Sequence, residues 1–264
     1  MEIAGASAVV TGAGAGIGAA ICRALAACGA RGVLVADLDG ARAEAVAAQL
    51  HARGTVAHAR VVDVADADAV AAMVTAAEDA FGGLDLMVSN AGIGTGAGIE
   101  ADLDQWQCAY EVNVLAHVHA ARAALPGMLE RGSGAFVHTA SAAGLLTMLG
   151  DAPYTVTKHG AVAFAEWLAI TYGGRGIQVA ALCPQGVETD LLRAADHGLA
   201  GRAVRAAGPV LSAEQVADEV VAALQDGRFL ILPQPEVADH LVGKASDPER
   251  WIAALQRIAA ALEA

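Results

Sequence analysis

Short runs of apolar residues alternate along the chain with longer segments in which apolar residues return every three or four positions. Continuous apolar runs are typical of buried strands, and the longer periodic segments are typical of helices that cover a sheet. The pattern predicts seven strands, at about 7–11, 33–36, 56–62, 84–89, 135–140, 178–183 and 229–232. It predicts helices at about 41–51, 67–81, 104–130, 154–172 and 247–263. It also predicts a helix that ends near residue 28 and one that begins at residue 212.

This alternation predicts the fold class. Strands that alternate with helices form a parallel sheet through right-handed crossovers, with helices on both faces. We therefore expect an α/β protein with a single-domain, Rossmann-type, doubly wound parallel sheet of about seven strands. No linker or internal repeat divides residues 1–264, and Pro126 is expected to kink or end the long helix at 104–130.

A glycine-rich turn follows the first predicted strand. Its spacing is T-G-x-x-x-G-x-G, and it differs from the G-x-G-x-x-G pattern, whose sixth position would fall on Ile17. A strand-to-helix turn of this kind lets backbone N–H groups and a helix N-terminus approach a phosphate. The alternative is a flexible turn in a chain with 30 glycines. The candidate phosphate-binding residues are Gly12, Gly14, Gly16, Ile17 and Gly18.

Asp37 ends the second predicted strand. An acidic side chain at this position can accept hydrogen bonds from the adenosine ribose hydroxyls and repels a 2′-phosphate. Asp37 could instead cap the next helix, although Asp39 is equally well placed for that role. The pattern therefore favours NAD over NADP.

Tyr154 and Lys158 lie four residues apart in a predicted helix, on one helix face. A lysine beside a tyrosine favours the phenolate, and so is expected to lower a phenol pKa that is ordinarily about 10. Such a tyrosine can exchange protons near neutral pH. The alternative is a helical tyrosine beside a solvated lysine.

Charge and cysteine spacing exclude several other classes. The net charge of −13 argues against nucleic-acid binding, which needs clustered basic residues. No apolar run is long enough to cross a bilayer, and the first residues lack signal-peptide features, so a cytoplasmic protein is predicted. No metal site is expected, because His117 and His119 point to different helix faces and the cysteines lack C-x-x-C spacing. The four cysteines are expected to be small buried residues: Cys22, Cys28, Cys108 and Cys183.

Together these motifs resemble the short-chain dehydrogenase/reductase family in its compact form. The resemblance covers essentially the whole chain, because the family's motifs occur in the family's order: the glycine turn, Asp63-Val64, Asn90-Ala91-Gly92, Asn113, Ser141, Tyr154 with Lys158, and Pro184 with Thr189. It implies an NAD-dependent oxidoreductase that interconverts a secondary alcohol and a ketone.

The resemblance also implies roles for individual residues. Tyr154 is expected to be the general acid/base, Ser141 to hold the reacting oxygen, Lys158 to contact the nicotinamide ribose and tune the tyrosine, and Asn113 to anchor a water next to Lys158. The expected dinucleotide contacts are Asp63 and Val64 at the adenine, Asn90 and Gly92 beneath the nicotinamide, and Pro184, Val187 and Thr189 near its carboxamide.

Gln185 departs from the family pattern, which has glycine after the proline. Its side chain either hydrogen-bonds substrate or turns outward, and the sequence leaves both open.

The substrate end is the least determined part of the sequence. An apolar cleft wall is predicted from Leu145, Leu146, Met148, Leu149, Leu191 and Leu192, which favours a hydrophobic substrate. Arg193, Arg202 and Arg205, in the variable segment of about 188–211, could instead receive a charged substrate. A non-catalytic NAD(H) sensor or structural partner is the alternative from another class.

Two expectations concern assembly. Compact members of the family commonly pair the two long helices across a two-fold axis, so the resemblance implies a homodimer or homotetramer. The apolar residues on those segments are Trp106, Tyr110, Val114, Phe164 and Leu168. The tail at about 247–263 either covers a neighbouring subunit's cleft or packs on its own sheet.

Overall fold

The computed structural model describes residues 1–263. Its seven strands form one parallel sheet in the order β3-β2-β1-β4-β5-β6-β7. The strands are β1 (Ser7–Thr11), β2 (Gly32–Asp37), β3 (Val56–Val61), β4 (Leu86–Ser89), β5 (Gly134–Thr139), β6 (Ile177–Leu182) and β7 (Leu230–Ile231). The predicted fold class is confirmed.

Twelve α-helices flank this sheet in the described part of the chain. They are α1 (Gly16–Ala27), α2 (Gly40–His51), α3 (Ala67–Phe81), α4 (Leu103–Tyr110), α5 (Ala116–Arg131), α6 (Ala143–Leu146), α7 (Ala152–Tyr172), α8 (Asp190–Ala195), α9 (Leu199–Ala206), α10 (Ala213–Asp226), α11 (Glu236–Ser246) and α12 (Pro248–Glu263).

The central strands are apolar because both faces of the sheet are covered. Val10 and Val33 lie in the core on one face, whereas Val9 and Leu34 lie in the core on the other. Neighbouring residues of β1 and β2 therefore enter opposite cores, as side-chain alternation along a strand requires. The chain order reverses between β1 and β4, which opens a crevice at the carboxyl ends of these strands.

The prediction of one long helix at 104–130 is wrong in the middle of that range. A π-helical turn at Glu111–Leu115 separates α4 from α5, and Pro126 lies inside α5 without ending it. Ala124 and Met128 on either side of the proline are fully buried, so core packing holds the helix through the missing N–H. The α-helix is instead interrupted at the π-helical turn, where the Asn113 side chain hydrogen-bonds to Ile93 in the loop after β4.

The cysteine prediction is partly wrong. Cys22 and Cys183 are buried, but Cys28 is half-buried and Cys108 is exposed. Cys108 is exposed because α4 is largely solvent-facing, with only Ala109 buried. Within residues 1–263, no His, Cys, Asp and Glu residues cluster in a way that could hold a metal ion. No helix of that range is long and apolar enough to span a membrane.

Helices α11 and α12 form a C-terminal layer beyond the sheet. The Trp251 indole N–H donates to the carbonyl of Leu146 at 3.3 Å, and Lys244 Nζ donates to the carbonyl of Leu145 at 2.6 Å. Helix α12 also contacts α9. The tail thus packs on its own chain, against the loop after β5 and the segment after β6, and not on the sheet.

His117 and His138 form a buried pair between α5 and β5. Their Nδ1 atoms lie 2.9 Å apart, and neither Nε2 atom has a hydrogen-bond partner. Burial holds the pKa of His117 well below its usual range, and burial lowers the pKa of His138 to about 3. Both rings are therefore neutral in the folded protein near neutral pH.

This pair is expected to make the fold acid-sensitive. Below about pH 6.5 the unfolded chain binds protons that the folded chain excludes, so each histidine removes about 1.4 kcal/mol of unfolding free energy per pH unit. Replacing both by leucine (His117→Leu with His138→Leu) should flatten the fall of unfolding free energy between about pH 6 and pH 4.5 in chemical denaturation. His51→Gln, at an exposed position, is the control and should leave the slope unchanged. An equal slope in the double variant and the parent would contradict the prediction.

Candidate active site

A cleft of about 610 Å³ runs along the carboxyl edge of the sheet. Residues at the carboxyl ends of five strands line it: Asp37 at the end of β2, Asp63 after β3, Asn90 after β4, Ser141 after β5 and Pro184 after β6. Parallel strands deliver all these ends to one edge, so residues distant in sequence become neighbours.

The glycine turn shapes one wall of the cleft. Gly12 has φ +60°, and a Cβ there would lie 2.8 Å from Ala91 Cα. Gly16 has φ +52° and lies next to Thr189. Only glycine suits these positions, because their backbone is left-handed and closely approached. The bare backbone at the start of α1 therefore fits the pyrophosphate of a dinucleotide.

Asp37 organises the next part of the cleft. Its Oδ2 accepts the Gly14 N–H at 2.7 Å and its Oδ1 accepts the Asp39 N–H at 2.9 Å. Asp39 caps α2 by accepting the Arg42 N–H at 3.1 Å, as the sequence allowed. The Asp37 carboxylate is thus fixed in position on the cleft wall, where it fits a ribose.

Asn90 ties the ends of three strands together. Its Nδ2 donates to the carbonyl of Thr11 at 3.0 Å, and the Thr139 hydroxyl donates to its Oδ1 at 3.2 Å. The Asn90 N–H donates to Thr11 Oγ1 at 2.9 Å. Asn90 is therefore more than a turn residue, since it holds the floor of the cleft between β1, β4 and β5.

Lys158 is a buried cation, 2% exposed, on α7. Its Nζ donates to the carbonyl of Thr139 at 2.9 Å and lies 5.5 Å from the centroid of the Tyr154 ring. Burial lowers the pKa of Lys158 to about 8. The amine therefore titrates within reach of neutral pH.

Tyr154 is half-buried one turn earlier on the same helix. Burial raises its pKa to about 12, and an interaction with the Ser141 hydroxyl opposes the rise. The expectation that Lys158 lowers this pKa is wrong for the protein's own groups, because burial of the phenol is the largest influence and raises the pKa. With the protein's groups alone the phenol is a proton donor at neutral pH.

Asn113 lies behind the cleft, not in it. Its Oδ1 accepts the Ile93 N–H at 2.9 Å, and its Nδ2 donates to the Ile93 carbonyl at 2.9 Å and to Thr157 Oγ1 at 3.1 Å. A Cβ on Gly92 would lie 3.1 Å from Lys158 Nζ and 3.2 Å from Asn113 Oδ1. Asn113 therefore fixes the loop after β4 beside the lysine, and its role in holding a water stays a prediction.

Most of the predicted site residues meet in this one cleft. The predicted residues that line it are Gly12, Gly16, Ile17, Asp37, Asp63, Val64, Asn90, Gly92, Ser141, Tyr154, Lys158, Pro184, Val187 and Thr189. Gly14, Gly18 and Asn113 do not line the cleft but support residues that do. Gly18 packs against the Gly12 carbonyl, where a Cβ would collide.

The predicted apolar wall is only partly right. Met148, Leu191 and Leu192 line the cleft, whereas Leu145 and Leu146 pack into a separate cluster with Trp251. Helix α6 turns these two leucines away from the cleft, toward α11 and α12. Other apolar residues complete the wall: Ala195, Ala200 and Val204.

The three arginines of the variable segment are engaged by the chain itself. Arg193 pairs with Glu188 at 2.8 Å and with Asp190 at 2.7 Å. Arg205 pairs with Asp196 at 2.7 Å, and Arg202 donates to the carbonyl of His197 at 3.1 Å. None of the three lines the cleft.

Gln185 lines the cleft, but its amide oxygen is buried without a hydrogen-bond partner, close to Gly208. Gln234, 1% exposed, holds the backbone around it: its Oε1 accepts the Gln185 N–H at 3.0 Å and its Nε2 donates to the Gly186 carbonyl at 2.7 Å. The sequence offered no signal for Gln234, because it lies in an irregular loop after β7.

Two further cleft residues were missed. Arg42 lies at the Asp37 end, where its guanidinium pairs with Asp190 at 2.9 Å. Asp151 lies at the Tyr154 end and caps α7 by accepting the Tyr154 N–H at 2.9 Å. Asp151 could have been found, since an N-cap residue followed by Pro153 in the first turn is a helix-start pattern.

Comparison with known proteins agrees with this geometry. The family model described as short chain dehydrogenase matches residues 6–200. The chain belongs to the short-chain dehydrogenase/reductase family. It is therefore an NAD(P)-dependent oxidoreductase.

Individual relatives span a broad range of substrates. A 1-deoxy-11-beta-hydroxypentalenate dehydrogenase of Streptomyces exfoliatus is 36% identical over 93% of this chain and 89% of its own length. A D-threitol dehydrogenase of Mycolicibacterium smegmatis is 37% identical over 75% of this chain and 76% of its own. A short-chain dehydrogenase/reductase from Burkholderia phymatum, solved in complex with NAD, has a TM-score of 0.87 and 30% identity, covering 94% of this chain and 96% of that one.

Proposed function

We propose that this protein is an NAD-dependent dehydrogenase that interconverts a hydrophobic secondary alcohol and the corresponding ketone. The observation that carries the proposal is the convergence of Ser141, Tyr154 and Lys158 with the strand-end residues Asp37 and Asp63 on one cleft. The whole chain acts as one NAD-binding domain, with residues 188–211 as its substrate segment and 247–263 as a helical tail. Cytoplasmic location and the absence of nucleic-acid partners stay predictions.

The cofactor assignment rests on Asp37. Its carboxylate faces the cleft while accepting the Gly14 and Asp39 N–H groups, so its charge is held where a 2′-phosphate would have to lie. Arg42 is the nearby cation that could offset this charge, but it is paired with Asp39 and Asp190. This balance favours NAD over NADP.

The chain's own residues handle the proton. When bound, the oxidised nicotinamide supplies the hydride acceptor and a positive charge beside the phenol. Ser141 Oγ accepts the Ala143 N–H at 3.1 Å, which fixes the hydroxyl in the cleft, where it would hold the substrate oxygen. Tyr154 Oη takes the proton of an alcohol or gives one to a ketone. Bringing the phenol pKa down from about 12 toward neutral pH requires stabilisation of the phenolate, which the positive charge of the bound nicotinamide would supply.

The lining of the cleft favours a neutral, apolar substrate. Arg42 and Lys158 are the only basic residues that line it in the described chain. Arg42 pairs with Asp190 at the Asp37 end, and the buried Lys158 donates to the Thr139 carbonyl. Asp151 adds a negative charge there. A carboxylate or phosphate substrate would therefore lack a counter-charge, whereas Met148, Leu192 and Val204 suit an alkyl or alicyclic group.

A panel of substrates tests this proposal. Neutral secondary alcohols and ketones should turn over with NAD(H), followed by NADH absorbance, and matched analogues that carry a carboxylate or several hydroxyls should be poorer in kcat/KM. NAD binding without turnover of any alcohol or ketone would instead favour the sensor or structural role.

Tyr154→Phe and Lys158→Ala separate the two assigned roles. Tyr154→Phe should abolish turnover and leave NADH affinity nearly intact, because the phenol acts on the substrate oxygen. Lys158→Ala should harm both turnover and NADH affinity. Titration of NADH fluorescence measures the affinities, and an equal loss of NADH binding in the two variants would show that the roles are wrongly assigned.

Asp37 is expected to set an NAD preference of about tenfold or more in kcat/KM. Asp37→Ser should reduce the difference in kcat/KM between NAD and NADP, because it removes the charge that repels the 2′-phosphate. Asp66→Asn is the matched control, since asparagine also caps a helix and Asp66 caps α3 without lining the cleft. Equal efficiency with NAD and NADP in the parent protein would overturn the assignment.

We also propose a homodimer or homotetramer. Of the residues predicted to pair, Val114 and Leu168 are buried in the chain's own core. Trp167 and Ile170, 53% and 77% exposed, extend an apolar face of α7 together with Val156.

Ile170→Glu should shift the mass in solution toward the monomer, because burying a carboxylate in an apolar contact is costly. Val242→Glu, at an exposed apolar position of α11, is the control and should leave the assembly intact. Light scattering that finds only a 26.4 kDa monomer of the parent at micromolar concentration would refute the proposal.

A further inference from the structure

Asp151 is a buried carboxylate at the substrate end of the cleft, and the proposed chemistry gives it no role. It is 4% exposed and lines the cleft beside Tyr154. A buried charge is costly unless hydrogen bonds replace its water shell. The donors that surround Asp151 therefore indicate what the charge holds in place.

Both carboxylate oxygens of Asp151 are fully used. Oδ1 accepts the Tyr154 N–H at 2.9 Å and the Thr95 hydroxyl at 2.8 Å. Oδ2 accepts the backbone N–H groups of Thr95 at 2.8 Å and Gly96 at 2.7 Å. Beside them the Ala152 N–H donates to the Ala97 carbonyl at 2.9 Å. The loop after β4 and the first turn of α7 are thus bound to each other through one side chain.

We infer that Asp151 is a positioning residue for Tyr154. Asp151 couples the cleft wall at 95–97 to the start of the helix that carries the phenol, and it keeps a negative charge beside the phenol. The inference rests on the proposed dehydrogenase function, because its consequence is the placement of the acid/base group. A change in the wall would then move Tyr154 relative to Ser141.

The geometry requires a carboxylate, not only a helix cap. Three backbone N–H groups are divided between the two oxygens, and an asparagine amide offers one acceptor oxygen and one NH₂ donor. Asparagine would therefore turn a donor toward at least one N–H. Asp102 provides the contrast within this chain, because it caps α4 through the Gln105 N–H alone, at 2.8 Å, and is exposed. There asparagine is an adequate substitute.

The charge of Asp151 also acts on the phenol. The groups that face Tyr154 are Lys158 on the same helix, Cys183 after β6, the Ser141 hydroxyl after β5, and Asp151. Burial raises the pKa of Tyr154, and the negative charge of Asp151 raises it further. Removing that charge should lower the pKa of Tyr154, so the phenolate that accepts the alcohol proton forms at lower pH. The acid limb of alcohol oxidation should therefore move to lower pH.

The test compares D151N with D102N in the full-length protein. D151N should lower kcat on the order of tenfold or more, because a misplaced acid/base group loses its alignment, while NAD affinity stays within about twofold. Its acid limb should move to lower pH, and amide hydrogen exchange of residues 95–97 and 152–155 should accelerate. D102N should match the parent in all four measurements.

D151N that matches the parent in kcat, pH profile and exchange would overturn the inference, as would an equal kcat loss in D102N. If D151N does not fold, T95V takes its place. That variant removes the hydroxyl, which donates to Asp151 and accepts the Ala97 N–H at 3.3 Å. Unchanged kcat and unchanged exchange at 152–155 would overturn the inference. A parent protein without turnover would defeat the proposed function, whereas the exchange comparison would still decide whether Asp151 couples the two segments.

Discussion

The structure depends on the hydrogen-bonding requirement of a parallel sheet buried on both faces. The interior positions of its central strands are mostly apolar, so the polar groups of the site collect where the strands end. All seven strands run in the same direction, and their carboxyl ends form one edge. The chain order reverses between β1 and β4, which leaves this edge open as a cleft. The location of the site follows from the sheet, before any particular side chain is considered.

The buried Lys158 shows how closely the site depends on that edge. A cation in the interior needs a fixed partner, and the last carbonyl of β5, at Thr139, provides it at 2.9 Å. The π-helical turn before α5 brings Asn113 next to the same place, where its amide satisfies both backbone groups of Ile93. The helix irregularity and the buried charge are therefore parts of one arrangement around Gly92, which has no Cβ to occupy the space.

The substrate side is built differently. Helices α8 and α9 are short and lie outside the sheet. Exposed ion pairs link α8 to α2, through Asp190 and Arg42, and the end of α8 to α9, through Asp196 and Arg205. Single exposed ion pairs contribute little to stability, so the buried Leu192 and Ala200 matter more for the packing of this wall. Helix α12 adds an outer layer by packing on α9. The substrate wall is thus built from short helices outside the sheet, whereas the dinucleotide wall is built from the ends of the strands.

The sequence by itself determined the strands, the glycine turn, Asp37 and the Tyr154–Lys158 pair, because local periodicity and short spacings encode buried strands, tight turns and shared helix faces. It could not determine the π-helical turn around Asn113, the direction of the Tyr154 pKa shift, or the grouping of Leu145 and Leu146 away from the cleft. Those depend on desolvation and on contacts between residues far apart in the chain. Asp151 illustrates the difference: its sequence position indicates a helix cap, but only the fold brings Thr95 and Gly96 to its second oxygen.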